Sequence, residues 1–199
     1  MSLEMLRDRI HQSLDRHLLP LCRVLAGFGV RPNQITLTGT LLCLLGAVLV
    51  ATDRLVLGGL IWLAGSALDM LDGALARSQN QVSRGGAFLD STLDRISEGV
   101  LFTAIAYHFA AQGAALEAAV TVLALLGALL VSYTRARAEA LGAECKVGII
   151  TRAERVVLLS LGLCLELVAP VIVLLALLGG IAVAQRVHHT LRELDGGAK

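Results

Sequence analysis

Residues 33–52 read NQITLTGTLLCLLGAVLVAT, twenty consecutive positions without a charged side chain. A helix needs about 20 predominantly apolar residues to cross the hydrocarbon core of a bilayer. The rest of the chain has the same character, because 56% of its 199 residues are hydrophobic and only 17% are charged. A soluble domain of this size needs far fewer apolar residues to build one core. The sequence therefore predicts an integral membrane protein whose first span lies at residues 33–52.

Five further helices are predicted after this span. The second begins at Leu55, and because only fourteen residues separate it from Asp69, it can cross the membrane only by continuing to about Arg77. The others are predicted at residues 86–111, at 114–140, from about 149, and from Pro170 to about Val187. The sequence has no internal repeat or low-complexity linker. It therefore predicts an all-α membrane protein of one domain, residues 1–199, with six spans over about residues 33–190.

The segment before the first span, residues 3–26, has a different pattern. Apolar residues recur at helical spacing from Leu3 to Leu21, with charged residues between them. This pattern is typical of a helix that lies in the headgroup layer of a membrane. The segment lacks the continuous apolar stretch and small-residue cleavage site of a signal peptide. We therefore predict an N-terminal amphipathic interfacial helix.

The basic residues predict the orientation in the membrane. Lys and Arg near helix ends are retained on the cytoplasmic face, and of the 17 Lys and Arg residues only Arg54 falls in a predicted outer loop. Both termini are therefore predicted on the cytoplasmic side of the cell (inner) membrane. No basic tract indicates nucleic acid as a partner.

Four aspartates interrupt the apolar pattern near the predicted cytoplasmic boundary. Asp69 and Asp72 are three residues apart on the second helix, and Asp90 and Asp94 are four apart on the third. Each pair therefore lies on one face of its helix, and the short loop of residues 78–85 lets the two pairs converge. Four carboxylates in so apolar a setting repel one another and require a neutralising partner. Oxygen ligands clustered without His or Cys favour Mg²⁺, Mn²⁺ or Ca²⁺ over zinc.

Two other interpretations of the aspartates remain open at this point. They could form ordinary interfacial salt bridges with Arg77, Arg84 and Arg95, or they could form the transport site of a divalent-cation carrier. Transporters commonly bind their cargo near the bilayer midplane, between inverted repeats. The boundary position of the acids and the absence of a repeat therefore favour an enzyme.

A longer pattern around the aspartates resembles the signature of the CDP-alcohol phosphotransferases at every fixed position. It reads Asp69-x-x-Asp72-Gly73-x-x-Ala76-Arg77, then eight residues, then Gly86-x-x-x-Asp90-x-x-x-Asp94. The resemblance implies a metal-dependent reaction in which a hydroxyl attacks the β-phosphorus of a CDP-linked lipid and CMP leaves. In-line displacement at phosphorus requires charge neutralisation and a base, and a two-metal clamp with one carboxylate supplies both.

The resemblance also implies a role for each signature residue. Two divalent cations, Mg²⁺ or Mn²⁺, are expected on Asp69, Asp72, Asp90 and Asp94, with Asp94 also the general base. The residues expected to contact the CDP-lipid are Gly73, Ala76, Arg77 and Gly86. Asn33 and Thr36 lie where the first span enters the membrane, and this position suits contact with the nucleotide. For Asn33, capping of the helix is an alternative role.

Polar residues at the ends of the fourth and fifth helices are candidates for binding the acceptor. They are Ser132, Arg135, Arg137, Arg152 and Arg155. Guanidinium groups suit a phosphate dianion, and the amide end of the fifth helix also favours an anion. The alternative is that the arginines only anchor the protein to anionic headgroups.

These stretches, with LDSTLDR at 89–95 and RARAEA at 135–140, are similar to the prokaryotic phosphatidylinositol-phosphate synthases of this family. That similarity implies that the donor is CDP-diacylglycerol and that the acceptor is a phosphorylated polyol, namely inositol phosphate. It also implies a homodimer surrounded by membrane lipids. Members of that branch often have Lys where this chain has Arg135. Glycerol phosphate as acceptor, and an ether-lipid donor, remain alternatives.

Overall fold

The computed structural model describes residues 20–22, 24–79, 81 and 83–196, and these residues form helices without any strand. The six helices are α1 (Pro32–Ala51), α2 (Leu55–Ser78), α3 (Arg84–Ala111), α4 (Ala115–Ala140), α5 (Arg152–Cys164) and α6 (Val168–Gly196). The first four have bounds within two residues of those predicted. Helix α5 begins about three residues later than predicted, and α6 continues well past Val187.

The predicted interfacial helix of residues 3–26 lies largely outside the described residues. Residues 20–22 and 24–27 of the described chain are helical. The chain turns at Gly29, whose φ is +73°, a conformation that glycine adopts without steric cost. A proline then opens α1, where its missing N–H costs no intrahelical bond.

Four of the six helices are long and apolar enough to cross a membrane: α1, α2, α4 and α6. Helix α3 is long, but its first fifteen residues include the charged residues Arg84, Asp90, Asp94, Arg95 and Glu98. Helix α5 has 13 residues and is therefore only about 20 Å long, short of the ~30 Å hydrocarbon core. By length and composition the chain is a multi-pass membrane protein with four candidate spans.

These helices carry large apolar side chains that are half or more exposed. Leu41 on α1 is 66% exposed, Leu126 on α4 is 51% exposed and Leu177 on α6 is 62% exposed. Soluble monomers rarely expose contiguous apolar surface of this kind. Lipid is the solvent that makes such faces favourable.

The chain divides into two units, and α1, α2 and α3 contribute residues to both. The first comprises the described residues of Met1–Leu45 and Ile61–Glu98. In this unit α1 and α2 approach closely at two glycines, because a Cβ added to Gly65 would lie 2.6 Å from the carbonyl oxygen of Gly39. Small residues are what allow two helix backbones to come this near.

The second unit comprises Gly46–Leu60 and the described residues of Gly99–Lys199. Helix α4 packs along α6, and a Cβ added to Gly127 would lie 3.4 Å from the Cα atom of Gly179. Helix α5 packs against α2 in the same way, since a Cβ on Gly59 would lie 2.7 Å from the Cβ of Leu163. Glycines thus set the helix spacing in this unit as well.

Candidate active site

Three carboxylates meet in the first unit. Asp69 and Asp72 extend from α2 and Asp90 from α3, and one oxygen from each lies within 4.8 Å of the others. Asp72 is buried, with 6% of its surface exposed, and the other two are half-buried. The i, i+3 spacing places the first two on one face of α2, and the short turn before α3 brings Asp90 to the same place.

Asp94 lies one turn beyond Asp90 on the same face of α3. It is not one of the three residues whose oxygens cluster, although its side chain is only 12% exposed. The neighbouring Arg95 flanks it, with Nη1 3.8 Å from Asp94 Oδ2, and the same Nη1 donates at 2.5 Å to the carbonyl oxygen of Ser91. The structure therefore brings together three of the four predicted metal ligands.

Helix α1 reaches this cluster through Thr36. Its hydroxyl donates a hydrogen bond to Oδ2 of Asp72, and its oxygen also lies 3.2 Å from the carbonyl oxygen of Pro32. A hydroxyl has one proton to donate, and an ionised carboxylate is the stronger acceptor. Thr36 is 3% exposed, so water does not compete for this bond. The sequence suggested contact between Thr36 and the nucleotide, and the structure adds a direct bond from Thr36 to Asp72.

A cavity of about 400 Å³ opens beside the cluster. Its lining includes all six residues predicted to contact the CDP-lipid: Asn33, Thr36, Gly73, Ala76, Arg77 and Gly86. The carboxylates Asp72 and Asp90 also line it. Four further lining residues were not predicted, namely Pro32, Gln81, Ser83 and Ala87. Six of the eight signature residues, all except Asp69 and Asp94, therefore line one space at the ends of α1, α2 and α3.

The helix ends around the cavity are held by local side chains. Ser83 Oγ accepts the N–H of Gly86 at 3.0 Å at the start of α3. At the start of α1, the side chain of Gln34 accepts the N–H of Arg31 at 2.9 Å. The side-chain hydrogen bond at this helix end therefore comes from Gln34, and the side chain of Asn33 lines the cavity. A Cβ added to Gly86 would lie 3.6 Å from Asn33 Oδ1 and 3.0 Å from Ser83 Oγ. Glycine thus keeps this wall open.

The predicted acceptor residues all belong to the second unit. On α4, Arg135 is half-exposed and its Nε donates to Glu139 at 2.8 Å. Ser132 is three residues before Arg135 and shares its face of the helix, whereas Arg137 is two residues after it and points elsewhere. Arg137 is exposed. Helix α4 therefore does not present its two arginines to one point.

The other two predicted arginines lie in the first turn of α5. Arg152 is half-buried and Arg155 is 2% exposed. They are three residues apart and share one face of the helix. A capping box fixes this turn, since Glu154 Oε2 accepts the N–H of Thr151 at 2.8 Å. Helix α5 thus carries two arginines on one face of a capped first turn.

Comparison with known proteins decides what kind of site this is. The family model described as CDP-alcohol phosphatidyltransferase matches residues 30–185. The chain belongs to this family. It is therefore a transferase of phospholipid synthesis, and the resemblance of its signature is confirmed.

Relatives and solved structures agree with this assignment. The chain is 36% identical over 196 residues to the archaetidylinositol phosphate synthase of Pyrococcus horikoshii, covering 98% of this chain and 100% of that protein. The phosphatidylinositol phosphate synthase of Mycobacterium tuberculosis with CDP-DAG bound superposes with a TM-score of 0.81 at 31% identity, covering 88% of this chain and 94% of that one. The same mycobacterial enzyme in complex with manganese and citrate gives a TM-score of 0.80 at 30% identity, covering 87% and 88% of the two chains.

Two buried charged residues of this CDP-alcohol phosphatidyltransferase were not found from the sequence. Glu98 is 3% exposed and continues the series Asp90, Asp94 by another four residues along α3, so its spacing was a signal that could have found it. Arg186 on α6 is also 3% exposed. A single arginine near the end of a predicted span reads as an interfacial anchor, and only the structure shows its contacts.

Proposed function

We propose that this transferase moves the phosphatidyl group of CDP-diacylglycerol, or its ether-lipid equivalent, to a hydroxyl of inositol phosphate and releases CMP. The observation that carries the proposal is the cluster of Asp69, Asp72 and Asp90 beside a cavity lined by the signature residues Gly73, Ala76, Arg77 and Gly86. The names of the relatives support the substrates, since the similar archaeal and mycobacterial proteins are inositol phosphate lipid synthases.

The carboxylate cluster fits divalent cations. Three oxygens within 4.8 Å of one another, with no nitrogen or sulfur ligand in the group, form the donor set that Mg²⁺ and Mn²⁺ prefer. We propose two such ions, held by Asp69, Asp72, Asp90 and Asp94, and the mycobacterial structure with manganese supports this choice of metal. When bound, the cations neutralise the charge on the pyrophosphate of the donor. Thr36 orients Asp72 for this task through their hydrogen bond.

Asp94 is proposed as the general base. Its carboxylate takes the proton of the acceptor hydroxyl while that oxygen forms a bond to the β-phosphorus and the bond from this phosphorus to the CMP oxygen breaks. An ionised carboxylate in a largely buried position, with 12% of its side chain exposed, can accept a proton without competition from bulk water. The six residues predicted to contact the CDP-lipid, which line the cavity, hold the nucleotide and pyrophosphate in line.

The arginines are proposed to bind the phosphate of the acceptor. Arg152 and Arg155 support this role most directly, because they lie three residues apart on one face of the first turn of α5 and guanidinium groups suit a phosphate dianion. Ser132 and Arg135 supply further donors from one face of α4, whereas Arg137 lies on another face and is left to contact anionic lipid headgroups. A dianionic acceptor such as inositol phosphate suits this set, whereas free inositol does not.

We also propose the finer architecture that the family assignment favours. All six helices cross the membrane in this proposal, with the polar half of α3 and the start of α5 at the cytoplasmic boundary. The 13-residue α5 crosses by local thinning of the bilayer, which accommodates a helix shorter than the hydrocarbon core. Both termini and the active site face the cytoplasm, as the basic residues indicate, and the N-terminal segment lies in the interface. The chain acts as one catalytic domain within a homodimer of the cell membrane.

The decisive experiment supplies the purified protein with CDP-diacylglycerol and Mn²⁺ and compares acceptors. We expect CMP release and a new lipid with inositol phosphate, and neither with serine or free inositol. Excess EDTA should stop turnover, and added Mn²⁺ should restore it. A lipid product with glycerol phosphate alone would instead assign the protein as a phosphatidylglycerol-phosphate synthase. Divalent-ion flux in liposomes without CMP release from any acceptor would refute the transferase proposal and favour a transporter.

A further inference from the structure

A second cavity, of about 410 Å³, has no signature residue in its lining. It is formed where three helices end: Asp53 follows α1, Gln112 follows α3 and Glu166 follows α5, each by one or two residues. All its lining residues belong to the second unit. Ligand pockets in proteins have volumes of about 300–1,000 Å³, so a small organic group fits this space. The lining also includes His108, Phe109 and Leu167.

His108 is the most buried polar residue of this cavity, and both of its ring nitrogens have partners in the chain. Its surface is 7% exposed, and its Nδ1 lies 3.1 Å from Oδ1 of Asp53. An ionised carboxylate can only accept, so Nδ1 carries a proton. The other nitrogen, Nε2, therefore accepts from the amide nitrogen of Gln112 at 3.2 Å. The same amide nitrogen lies 3.5 Å from Oδ1 of Asp53.

The polar groups left to meet a ligand are acceptors. Asp53 and Glu166 are both exposed and bring carboxylate oxygens to the cavity. Because the nitrogen of Gln112 donates to His108, the group that this amide can offer a ligand is its carbonyl oxygen. No Lys or Arg lines the cavity in the part of the chain that the structure describes. Such a lining complements a ligand with positive charge and N–H donors.

The two carboxylates lie in turns that would suit glycine better. Asp53 has a φ of +66° and Glu166 a φ of +56°, and among the described residues they alone combine a positive φ with a side chain. This conformation brings Cβ close to the following carbonyl oxygen and is unfavourable for residues other than glycine. The described chain has glycine at its other positions of positive φ, namely Gly29, Gly113, Gly142 and Gly148. Both exceptions line one cavity, so the turns alone do not account for them.

Apolar groups of the cavity suit an organic cation at the membrane boundary. Phe109 contributes an aromatic side chain to the lining, and aromatic faces attract ammonium groups. Leu167 also lines the cavity and is 53% exposed, and Leu165, beside Glu166, is 62% exposed. In a multi-pass membrane protein, exposed leucines of this kind contact lipid. The ammonium group of a lipid headgroup can therefore reach the cavity.

We propose that this second cavity binds an ammonium group that carries N–H donors, such as the headgroup of an aminophospholipid. Asp53 and Glu166 balance its charge, and their oxygens and the carbonyl oxygen of Gln112 accept its N–H groups. A quaternary ammonium has the charge without the donors and is expected to bind far more weakly. A soluble amine presents the same group as the lipid. The inference goes beyond the proposed function and does not depend on the substrates of transfer.

The test uses the full-length protein, purified in detergent and freed of bound lipid, and follows its thermal unfolding. The probes are phosphatidylethanolamine, phosphatidylcholine with the same acyl chains, and free ethanolamine. We expect phosphatidylethanolamine to raise the unfolding midpoint in a saturable manner and phosphatidylcholine to raise it much less. A saturable rise with ethanolamine and none with either lipid would support the same chemistry and assign it to a soluble amine.

Charge-removing variants locate the binding. Asp53→Asn and Glu166→Gln keep the shape of each side chain, and the first also keeps an acceptor for His108. Each should raise the half-maximal concentration of phosphatidylethanolamine by at least about tenfold, the factor implied by losing one hydrogen bond to a charged group. The matched control is Glu117→Gln, since Glu117 is in the first turn of α4 and does not line the cavity. Its lipid response should equal that of wild type.

Glu166→Gly separates binding from a structural role and stays informative if Asp53→Asn does not fold. Glycine relaxes the turn, so the unfolding midpoint without lipid should be unchanged or higher, while the response to phosphatidylethanolamine should be lost. A carboxylate that served only its turn would give a lower midpoint and an unchanged response, which would overturn the inference. Equal responses to the two phospholipids, no response to any of the three probes, or wild-type responses in both charge-removing variants would also overturn it.

Discussion

The hydrogen bond between Thr36 and Asp72 gives a prediction that the signature alone does not contain. Replacing Thr36 with Val removes the hydroxyl and keeps the shape of the side chain, so packing on α1 is nearly unchanged. The carboxylate of Asp72 loses a donor that α1 contributes. We expect Thr36→Val to fold normally and to require much more Mn²⁺ for the same rate.

The size of the effect follows from burial and charge. Hydrogen bonds to charged groups contribute about 1.5–3 kcal/mol, and loss of a group that orients a metal ligand typically costs about 10- to 100-fold in metal affinity. These ranges agree, because tenfold corresponds to about 1.4 kcal/mol. With Asp72 6% exposed and Thr36 3% exposed, water has little access to replace the lost donor. The expected shift of the half-maximal Mn²⁺ concentration is therefore towards the upper end, about 100-fold.

CMP release, titrated with Mn²⁺ at saturating CDP-diacylglycerol and inositol phosphate, measures this shift. The matched control is Thr40→Val, since Thr40 lies one turn further on the same helix, is 8% exposed and donates at 2.9 Å only to the carbonyl oxygen of Thr36. A Mn²⁺ requirement that stays within about threefold of wild type in Thr36→Val, or that moves equally in Thr40→Val, would show that the bond to Asp72 does not support a cation site.

Two further predictions concern catalysis and helix packing. Asp94→Asn should stay folded, as judged by its thermal unfolding in detergent, and lose at least about 100-fold in kcat, the lower range for a general base; substantial turnover would remove that role. Gly65→Ala should lower the free energy of unfolding by about 1–3 kcal/mol, because its Cβ would lie 2.6 Å from the Gly39 carbonyl oxygen, whereas Gly180→Ala meets nothing within 4 Å and should be neutral or slightly stabilising. Equal thermal stability of these two variants would contradict the close helix approach.

The helices could be predicted because membrane helices are defined by apolar length. The bounds of α1 and α4 followed from where charge and turn residues interrupt that length. The end of α6 could not be predicted in this way, because the helix is polar beyond Val187. Its residues His189 and Glu193 contact the backbone of Glu144, in the loop between α4 and α5. Hydropathy marks where an apolar segment ends, and a helix can continue past that point.

The aspartates of the site could be predicted from the sequence, and the contacts between helices could not. Spacing of three and four residues places Asp69 with Asp72 and Asp90 with Asp94 on single faces, and the structure brings three of the four together. The bond from Thr36 to Asp72 could not be predicted, because it depends on the register between two helices. Spacing could have separated Arg135 from Arg137, since residues two apart on a helix do not share a face.

The contact between Gly39 and Gly65, where α1 crosses α2, limits which substitutions this enzyme can accept. Gly39 lies three residues after Thr36, and Gly65 lies seven residues before Asp72, so the contact that sets the register of the two helices is separate from the cavity. If α1 slid along α2 by one helical turn, about 5.4 Å, Thr36 would leave its carboxylate while every signature residue was still present. Substitutions at this crossing should therefore give inactive variants in which every signature residue is still present. Substitutions of the exposed leucines by other apolar residues should leave activity unchanged.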